Sequence, residues 1–370
     1  MNFQFRSLAA ALLLGMTPMV IAPQIANACT GITLIAKDGS AIQARTQEWG
    51  AFFLDSDLMI VPRKQALQGA TPDGKAGLQW TGKYGLVGVN AVHAPVLADG
   101  MNEKGLSVSV LYLPGFAQAQ KYDPAKARQT IALYDVPLWL LTNFATTDEV
   151  RKNLAAINVT DVVLPAFHGI APPVHFLITD SGGKTIVVEY TKGQPHVYDN
   201  PVGVMTNAPE FPWHLTNLRN YAGLHPQSNL PIKVGDLEVA PLGAGNGMVG
   251  LPGDYTPTSR FVRAAALRNA AAKQESGYHA VNEAFRILDN FNIPLGTTAA
   301  KAELPKDETI GSTQWTTAMD TKTLRYYYHT MFNRTIRMVD LKTVDFDHDK
   351  IRYIPLDRVK EQSIETIKVN

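Results

Sequence analysis

The stretch Ala26-Asn27-Ala28-Cys29-Thr30-Gly31-Ile32-Thr33-Leu34-Ile35 contains the only cysteine of the 370-residue chain. Residues 1–28 have the parts of a secretory signal peptide, with Arg6 before an apolar run and an Ala-x-Ala exit. Cleavage after Ala28 would leave Cys29 first, with a thiol and a free α-amino group on one residue. The ordinary pKa of that amine is about 7.7–8.0, so a nucleophile and a base would lie side by side. This position predicts a hydrolase whose nucleophile is its N-terminal residue.

The same cysteine has a second interpretation. Lipoprotein leaders also place a cysteine at the cleavage point, where it is acylated and holds the protein on a membrane. Such leaders generally have Leu three residues before the cysteine, and Ala26 occupies that position here. A lipid-anchored binding protein therefore stays open as an alternative to an exported enzyme.

The apolar run of the leader, Leu8–Ala22, is interrupted by Thr17 and Pro18. It is shorter than the roughly 20 residues that a permanent transmembrane helix needs, and no later segment is long or apolar enough. We therefore expect a periplasmic protein of a Gram-negative bacterium, without stable membrane insertion.

Composition limits the remaining classes. Without residues 1–28, the chain has 342 residues, and it loses only Arg6 from its 34 basic residues, leaving 33 basic against 33 acidic. This length suits a single catalytic domain, residues 29–370. No basic stripe occurs, so nucleic acid is not an expected partner. A single cysteine cannot form an internal disulfide, so an apolar core must hold the fold together.

Turn signals alternate with short β-rich runs. Lys37-Asp38-Gly39-Ser40 and Asp180-Ser181-Gly182-Gly183 each separate two such runs and predict hairpins. Because strands and helices come in clusters, the pattern favours an α+β fold with antiparallel sheets over a parallel α/β sheet. Further strands are predicted at 58–61, 85–90, 106–113, 323–330 and 335–341, and helices at 133–143, 148–157 (with Asp148 as N-cap), 213–221, 259–272 and 279–288.

The sequence indicates no metal and no organic cofactor. The nine histidines show no metal-ligand spacing. Gly243-Ala244-Gly245 begins a dinucleotide fingerprint but lacks its third glycine, and Ser181-Gly182-Gly183-Lys184 lies in a predicted turn rather than at the helix start that its chemistry needs.

Amide hydrolysis by a thiol also needs an orienting charge, donors for the oxyanion and a proton for the departing amine. Arg45 lies in the strand predicted to pair with the strand at Cys29, where its charge would favour the thiolate. Glu48 follows it and could orient Arg45 or the amine. Arg260 lies at a predicted helix start, where the macrodipole disfavours a cation, which indicates a role beyond the helix.

Asn102 and Asn207 are candidate oxyanion donors. Both are amides in predicted loops after apolar runs, at Asp99–Gly105 and Met205–Pro209. Taken alone, each is more typical of a turn than of a catalytic site.

Five segments together resemble the choloylglycine hydrolase family, which contains penicillin V acylases and conjugated bile salt hydrolases. They occur in the family's order and span most of residues 29–370. They are Cys29-Thr30-Gly31, Arg45-Thr46-Gln47-Glu48-Trp49, Asn102-Glu103-Lys104-Gly105-Leu106, Val204-Met205-Thr206-Asn207-Ala208-Pro209, and Leu251-Pro252-Gly253-Asp254 leading into Ser259-Arg260-Phe261-Val262-Arg263.

The resemblance implies a four-layer αββα fold and cleavage of a non-peptide amide by the N-terminal cysteine. It implies Cys29 as nucleophile and base, Arg45 and Arg260 as flanking charges, and Asn102 and Asn207 as oxyanion or polar stabilisers. The family usually has Asp at the position of Glu48, which is one methylene longer. Relatives are often tetramers, so a homo-oligomer is expected by analogy.

Aromatic residues near the predicted catalytic strands are candidates for substrate binding. Trp49, Phe52, Phe53 and Trp80 could hold a phenoxyacetyl group or a fatty acyl chain, or could equally be core residues. With the leader, they favour a penicillin V acylase-like enzyme over a bile salt hydrolase. Acyl homoserine lactones, which have the same kind of secondary amide, are a further expected substrate.

Overall fold

The computed structural model describes residues 29–50, 52–167, 169–298 and 311–369. The predicted signal peptide, residues 1–28, lies outside the described residues. The helices are α1 Val136–Asn143, α2 Thr147–Asn153, α3 Phe211–Asn217, α4 Pro257–Ala270 and α5 Gly277–Leu288. The strands are β1 Thr30–Ile35, β2 Ala41–Trp49, β3 Asp57–Val61, β4 Ala66–Gln68, β5 Gln79–Thr81, β6 Leu86–Asn90, β7 Leu97–Asn102, β8 Ser107–Tyr112, β9 Thr130–Ala132, β10 Asn158–Thr160, β11 Val174–Thr179, β12 Thr185–Thr191, β13 Gln194–Asp199, β14 Val204–Met205, β15 Ile232–Val234, β16 Leu237–Val239, β17 Ser312–Asp320, β18 Arg325–Thr330, β19 Arg337–Asp340 and β20 Arg352–Pro355.

Sheet A is a six-stranded antiparallel sheet with the order β14-β1-β2-β17-β18-β19. The hairpin predicted at Lys37–Ser40 joins β1 to β2, and Gly39 has the positive φ of 82° that the turn requires. The hairpin predicted near the C-terminus is β18–β19. These pairings confirm the predicted antiparallel arrangement for the sheet whose strand β1 follows Cys29.

Sheet B is an eight-stranded antiparallel sheet with the order β13-β12-β11-β8-β7-β6-β3-β20. Its hairpin β11–β12 turns at Ser181-Gly182, as predicted. Most of its strands are buried on both faces, because one face packs on sheet A and the other on helix α1.

Two helical layers enclose the two sheets. Helices α4 and α5 pack on strands β1, β2 and β17 of sheet A, and α1 packs on β7 and β8 of sheet B. Between the sheets, Gln43 Nε2 on β2 donates to Ser109 Oγ on β8 at 2.8 Å. The layer order helix–sheet–sheet–helix confirms the predicted αββα sandwich with antiparallel sheets.

Two local predictions were wrong. Asp148 is not the N-cap of α2, because the Oγ1 atom of Thr146 accepts the hydrogen bond from Glu149 N at 3.2 Å and Asp148 lies in the first turn. Residues 97–102 form strand β7, whereas Asp99–Gly105 was predicted as a turn. Across the described ranges, every helix is too short or too polar to cross a bilayer.

Candidate active site

Cys29 immediately precedes β1, which has a neighbouring strand on each side. Gly31 pairs with Arg45 on β2 and with Met205 on β14. Extending both antiparallel registers by two residues sets Cys29 opposite Gln47 on one side and opposite Asn207 on the other. The register therefore brings together segments that lie far apart in the sequence.

The thiol of Cys29 is buried, with the residue 2% exposed. Its Sγ atom is 3.9 Å from the backbone oxygen of Glu48. Burial raises the pKa of this thiol, while the charges of Arg45 and Arg260 oppose that rise. Nearby cations thus offset part of the penalty that burial places on the thiolate.

Arg45 is fully buried and connects the two sheets next to the thiol. Its Nη1 atom donates to the carbonyls of Ala98 at 3.0 Å and Val110 at 2.6 Å, both on sheet B. Its Nη2 atom donates to Gln47 Oε1 at 2.5 Å, and the guanidinium lies 5.0 Å from the ring centre of Trp315. These contacts fix a positive charge between the sheets, as expected from the pairing of β1 with β2.

Arg260 reaches from the first turn of α4 to the nucleophile. Its Nη1 atom donates to Cys29 O at 2.5 Å and to Thr30 Oγ1 at 2.9 Å. Its Nη2 atom donates to Asn207 Oδ1 at 2.6 Å. Burial lowers the pKa of this guanidinium to about 10, so it stays cationic at neutral pH. A cation at a helix start is thus explained by partners outside the helix.

Asn207 follows β14 and is 1% exposed. Its Nδ2 atom donates to the carbonyl of Tyr112 at 2.7 Å, and Arg260 occupies its Oδ1 atom. A side-chain amide has two N–H donors, so one remains for another acceptor. The structure therefore brings Asn207 beside Cys29, as the sequence predicted.

Glu48 lies on the face of β2 opposite to Arg45, because successive side chains of a strand alternate. Its Oε1 atom accepts from Thr313 Oγ1 at 2.8 Å, and its Oε2 atom has no hydrogen-bond partner in the part of the chain that the structure describes. Burial raises the pKa of this carboxyl to about 7, against the opposing charge of Arg260. Glu48 therefore changes charge near neutral pH.

Asn102 requires a correction. Its Nδ2 atom donates to Leu141 O and Phe144 O, both at 2.7 Å, and its Oδ1 atom accepts from Lys104 N and Leu106 N at 3.0 and 3.1 Å. Leu97, at the start of β7, lines the cavity with Cys29, whereas Asn102 is the last residue of that strand. The five residues between them correspond to about 16 Å of strand. The expected oxyanion role of Asn102 was wrong. Its side chain instead accepts hydrogen bonds from the turn between β7 and β8 and donates to two carbonyls at the C-terminal end of α1.

A small apolar cavity of about 60 Å³ lies over Cys29. Trp49 contributes to its wall, in edge-to-face contact with Tyr112 at 5.5 Å and with Phe167 at 5.4 Å. Phe52 packs behind this wall, 5.5 Å from Trp49. The cavity is lined by Cys29, Gln47, Trp49, Leu54, Ala91, Val96, Leu97, Ala98, Val110, Leu111, Tyr112, Tyr134, Phe167, Pro172 and Val174.

Two of the four predicted aromatic residues lie elsewhere. Phe53 is 42% exposed and contacts Phe332 in a separate depression. Trp80 lies on the small β4–β5 hairpin, where its Nε1 atom donates to Thr142 Oγ1 of α1 at 3.0 Å. Their nearness in sequence to the catalytic strands was misleading, because Phe53 lines the separate depression although its neighbour Leu54 lines the cavity, and Trp80 lies on a different hairpin.

Sequence reasoning missed Gln47, Tyr112, Tyr134 and Phe167 as cavity residues. Gln47 was readable, because it has the same strand parity as Arg45 and so points to the same face. Tyr112 ends β8, a strand that was predicted, but the packing of β8 against β1 of the other sheet was not predicted. Tyr134 and Phe167 reach the cavity from 3₁₀ turns, for which the sequence had no signal. Within the described ranges, no group of three or more His, Cys, Asp or Glu side chains could hold a metal ion.

The family model described as linear amide C–N hydrolases, choloylglycine hydrolase family, matches residues 29–353. The chain belongs to the choloylglycine hydrolase family. The bile salt hydrolase/transferase of Clostridium perfringens is 36% identical over 327 residues, covering 88% of this chain and 95% of that protein. A penicillin V acylase of Pectobacterium atrosepticum is 29% identical over 367 residues, covering 93% and 89%.

A solved structure agrees with the family assignment. A crystal structure of a variant of the conjugated bile acid hydrolase from Clostridium perfringens has a TM-score of 0.80 and 33% identity, and the match covers 92% of this chain and all of that one. The choloylglycine hydrolase described here is thus a linear amide C–N hydrolase with an N-terminal-nucleophile hydrolase fold.

Proposed function

We propose that this choloylglycine hydrolase is an exported N-terminal cysteine amidase with penicillin V acylase-like activity, removing a phenoxyacetyl group to give 6-aminopenicillanic acid. The observation that carries the proposal is Cys29 beneath an aromatic-lined cavity, with the Arg260–Asn207 hydrogen bond on one side and Arg45 on the other. A thiol, two cations and an amide donor are the groups that thiol-dependent amide cleavage requires.

The reaction has two stages. The α-amine of Cys29 takes the thiol proton as Sγ attacks the amide carbon, and it then gives that proton to the leaving nitrogen as the C–N bond breaks. A thioester remains on Cys29. Water attacks the thioester with the amine as base, releasing the carboxylic acid and restoring the thiol.

Each neighbouring residue has a role in these stages. The second N–H of Asn207 donates to the oxyanion, and the Arg45 charge favours the thiolate. Arg260 holds both the Cys29 backbone and the Asn207 amide. Glu48, on the strand β2 that pairs with β1, orients the α-ammonium group through its carboxylate.

The apolar and aromatic lining of the cavity supports an aromatic or linear acyl group. Its volume of about 60 Å³ is below the roughly 150 Å³ of a cavity that binds benzene, so even one ring must displace wall side chains. A fused four-ring steroid would require much larger displacement. Long-chain acyl homoserine lactones suit the same apolar wall through their flexible chains.

Bile salts are the second candidate substrates, because the Clostridium perfringens relative at 36% identity is named a bile salt hydrolase/transferase. A hydrolysis panel decides between them. Purified chain beginning at Cys29 is incubated with penicillin V, a long-chain acyl homoserine lactone and glycodeoxycholate, and kcat/KM is measured for each. A preference for glycodeoxycholate would contradict the penicillin V assignment but would leave the proposal of an N-terminal cysteine amidase intact.

The proposal includes export to the periplasm by removal of residues 1–28. Intact-mass measurement of the exported protein tests this against the lipid-anchored alternative. A mass that corresponds to a start at Cys29 supports the enzyme, whereas an increment for diacylglycerol and a fatty chain supports the anchor.

A homo-oligomer, such as a tetramer, is part of the proposal, and the hairpin β15–β16 supports it. This hairpin pairs with no other strand of the described chain, and its apolar side chains at 232, 234, 237 and 239 are between 42% and 66% exposed. An isolated two-stranded hairpin is at best marginally stable in water, so a second copy is the occupant that we expect to cover it.

A further inference from the structure

Two buried histidines hold the backbone on which Asn207 is mounted. His175 Nε2 donates to the carbonyl of Thr206 at 2.9 Å, and His214 Nε2 donates to the carbonyl of Asn207 at 2.9 Å. The two histidines are 1% and 2% exposed. They come from different layers of the fold, since His175 lies on β11 of sheet B and His214 lies on helix α3.

The donor direction of His175 is fixed by Glu189. Its Nδ1 atom is 2.9 Å from Glu189 Oε1, and the fully buried carboxyl also accepts from Phe211 N at 3.0 and 3.2 Å. Both ring nitrogens of His175 thus face acceptors. A proton must lie between His175 and Glu189, and a second must lie on Nε2, where it points at Thr206.

The donor direction of His214 is fixed by its surroundings. Its ring stacks on Phe261, with centroids 4.5 Å apart and planes 14° from parallel. Phe261 follows Arg260 directly in the sequence. Burial lowers the pKa of His214 to about 4, so the ring is neutral at physiological pH. Because Nε2 faces a carbonyl, the single proton of the neutral ring lies on Nε2.

The side chain of Asn207 is held at its far end as well. Arg260 donates to its Oδ1 atom, so the amide plane is fixed at the oxygen by Arg260 and at the backbone by the two histidines. A shift of the Thr206–Asn207 backbone would turn the free N–H away from the carbonyl above Cys29. Losses of this kind affect the transition state more than substrate binding, because the oxyanion forms only after attack.

We infer that His175 and His214 are positioning residues that aim the side-chain amide of Asn207 at the developing oxyanion. This inference rests on the proposed function, in which Asn207 is the oxyanion donor. Neither histidine forms a hydrogen bond to Cys29 in the described structure, so each acts through Asn207.

The test is a double-mutant cycle on the chain beginning at Cys29. We expect His214→Leu to lower kcat about 10-fold or more with KM within about 3-fold, and His214→Gln, which keeps a donor near the Nε2 position, to recover most of the loss. In an Asn207→Ala background, His214→Leu should lower kcat by less than about 2-fold further, because the two residues act as one unit.

His329→Leu is the matched control. His329 is a buried histidine on β18, 4% exposed, with burial lowering its pKa to about 3, and it packs against Phe285 away from Asn207. Its removal should lower stability and leave kcat unchanged.

His175 is tested through its partner Glu189, because removing a buried ring from the centre of sheet B could prevent folding. Glu189→Gln keeps the hydrogen bond to Nδ1 through its amide N–H and one of the two from Phe211 N through its amide oxygen, so kcat should stay within about 3-fold. Glu189→Leu should lower kcat as His214→Leu does.

Two outcomes overturn the positioning role of the histidines without affecting the proposed function. One is an unchanged kcat in folded His214→Leu. The other is that His214→Leu lowers kcat by the same factor in wild type and in the Asn207→Ala background. A fully active Asn207→Ala overturns it by removing the assigned role of Asn207. Loss of activity in Cys29→Ser would then still separate that failure from failure of the cysteine hydrolase proposal.

Discussion

Replacing Glu48 by Gln should change how stability depends on pH. Glu48 is buried, and its pKa is raised from 4.5 to about 7. A raised folded-state pKa contributes stability fully below pH 4.5, and that contribution is lost as the pH rises through 7. At 1.36 kcal/mol per pH unit, the gap of about 2.5 corresponds to about 3 kcal/mol between pH 4 and pH 9.

Urea unfolding of wild type and Glu48→Gln at pH 5, 7 and 8.5 measures this effect. The free energy of unfolding of Glu48→Gln, relative to wild type, should rise by up to about 3 kcal/mol over this range. The Gln amide itself changes the free energy of unfolding by an amount that does not depend on pH, so only the pH dependence of the difference between variant and wild type tests the reasoning. A flat or falling difference would refute the reasoning, because it would mean that the carboxyl is already ionised and paired at pH 5.

Glu103→Gln is the matched control. Although burial raises the pKa of Glu103, the hydrogen bonds and charge of Arg63, at 2.7 and 2.5 Å, outweigh it and hold that pKa below its ordinary value. A lowered pKa contributes stability above pH 4.5 that is lost only as the pH falls through the folded value. The difference in the free energy of unfolding between Glu103→Gln and wild type should therefore stay flat from pH 5 to 8.5.

The N-terminal amine of Cys29 should also affect the Glu48 result. In wild type that begins at Cys29, the α-ammonium should favour ionised Glu48. The stability difference between Glu48→Gln and wild type should then depend less on pH than in a chain that keeps a residue before Cys29.

Three further predictions concern the site and the assembly. Cys29→Ser should lower kcat/KM at least about 100-fold, and a chain that keeps one residue before Cys29 should be inactive because its amine is an amide; undiminished hydrolysis by either protein would contradict the nucleophile or the base. Asn102→Ala should lower the free energy of unfolding by about 2–4 kcal/mol, since it leaves buried carbonyls and N–H groups unpaired, while kcat of the folded protein stays unchanged; a large kcat loss without a stability loss would restore Asn102 to the site. Leu237→Asp should reduce the mass measured by light scattering without reducing kcat of the folded chain, and an unchanged mass would remove the hairpin from the proposed interface.

The sequence predicted those features that depend on local patterns or short registers. The β1–β2 hairpin followed from its turn at Lys37–Ser40, and it correctly set Arg45 beside the strand of Cys29. The antiparallel α+β class followed from clustered strands and helices. The four-layer arrangement came from the family resemblance, since no local pattern states which sheet face packs on which.

Failures of prediction arose where tertiary contacts decide a residue's role. Asn102 and Asn207 have the same local appearance, an amide after an apolar run, yet only Asn207 continues a strand that borders β1. Trp80 and Trp49 were both candidate aromatic residues for substrate binding, but only Trp49, the last residue of β2, lies in the sheet that contains the nucleophile. Such pairs differ in long-range strand order, which a single sequence does not display.

The hydrogen bond from Arg260 to Cys29 spans 231 positions along the polypeptide. Loop-closure entropy makes contacts between such distant partners slow to form, and they arise only when much of the native topology exists. A nascent or truncated polypeptide that ends before position 260 would therefore carry a sulfhydryl without the second of its two neighbouring cations. Turnover in this enzyme should consequently appear late in refolding, after the spectroscopic signals of secondary structure, and it would serve as a sensitive reporter that the whole topology has closed.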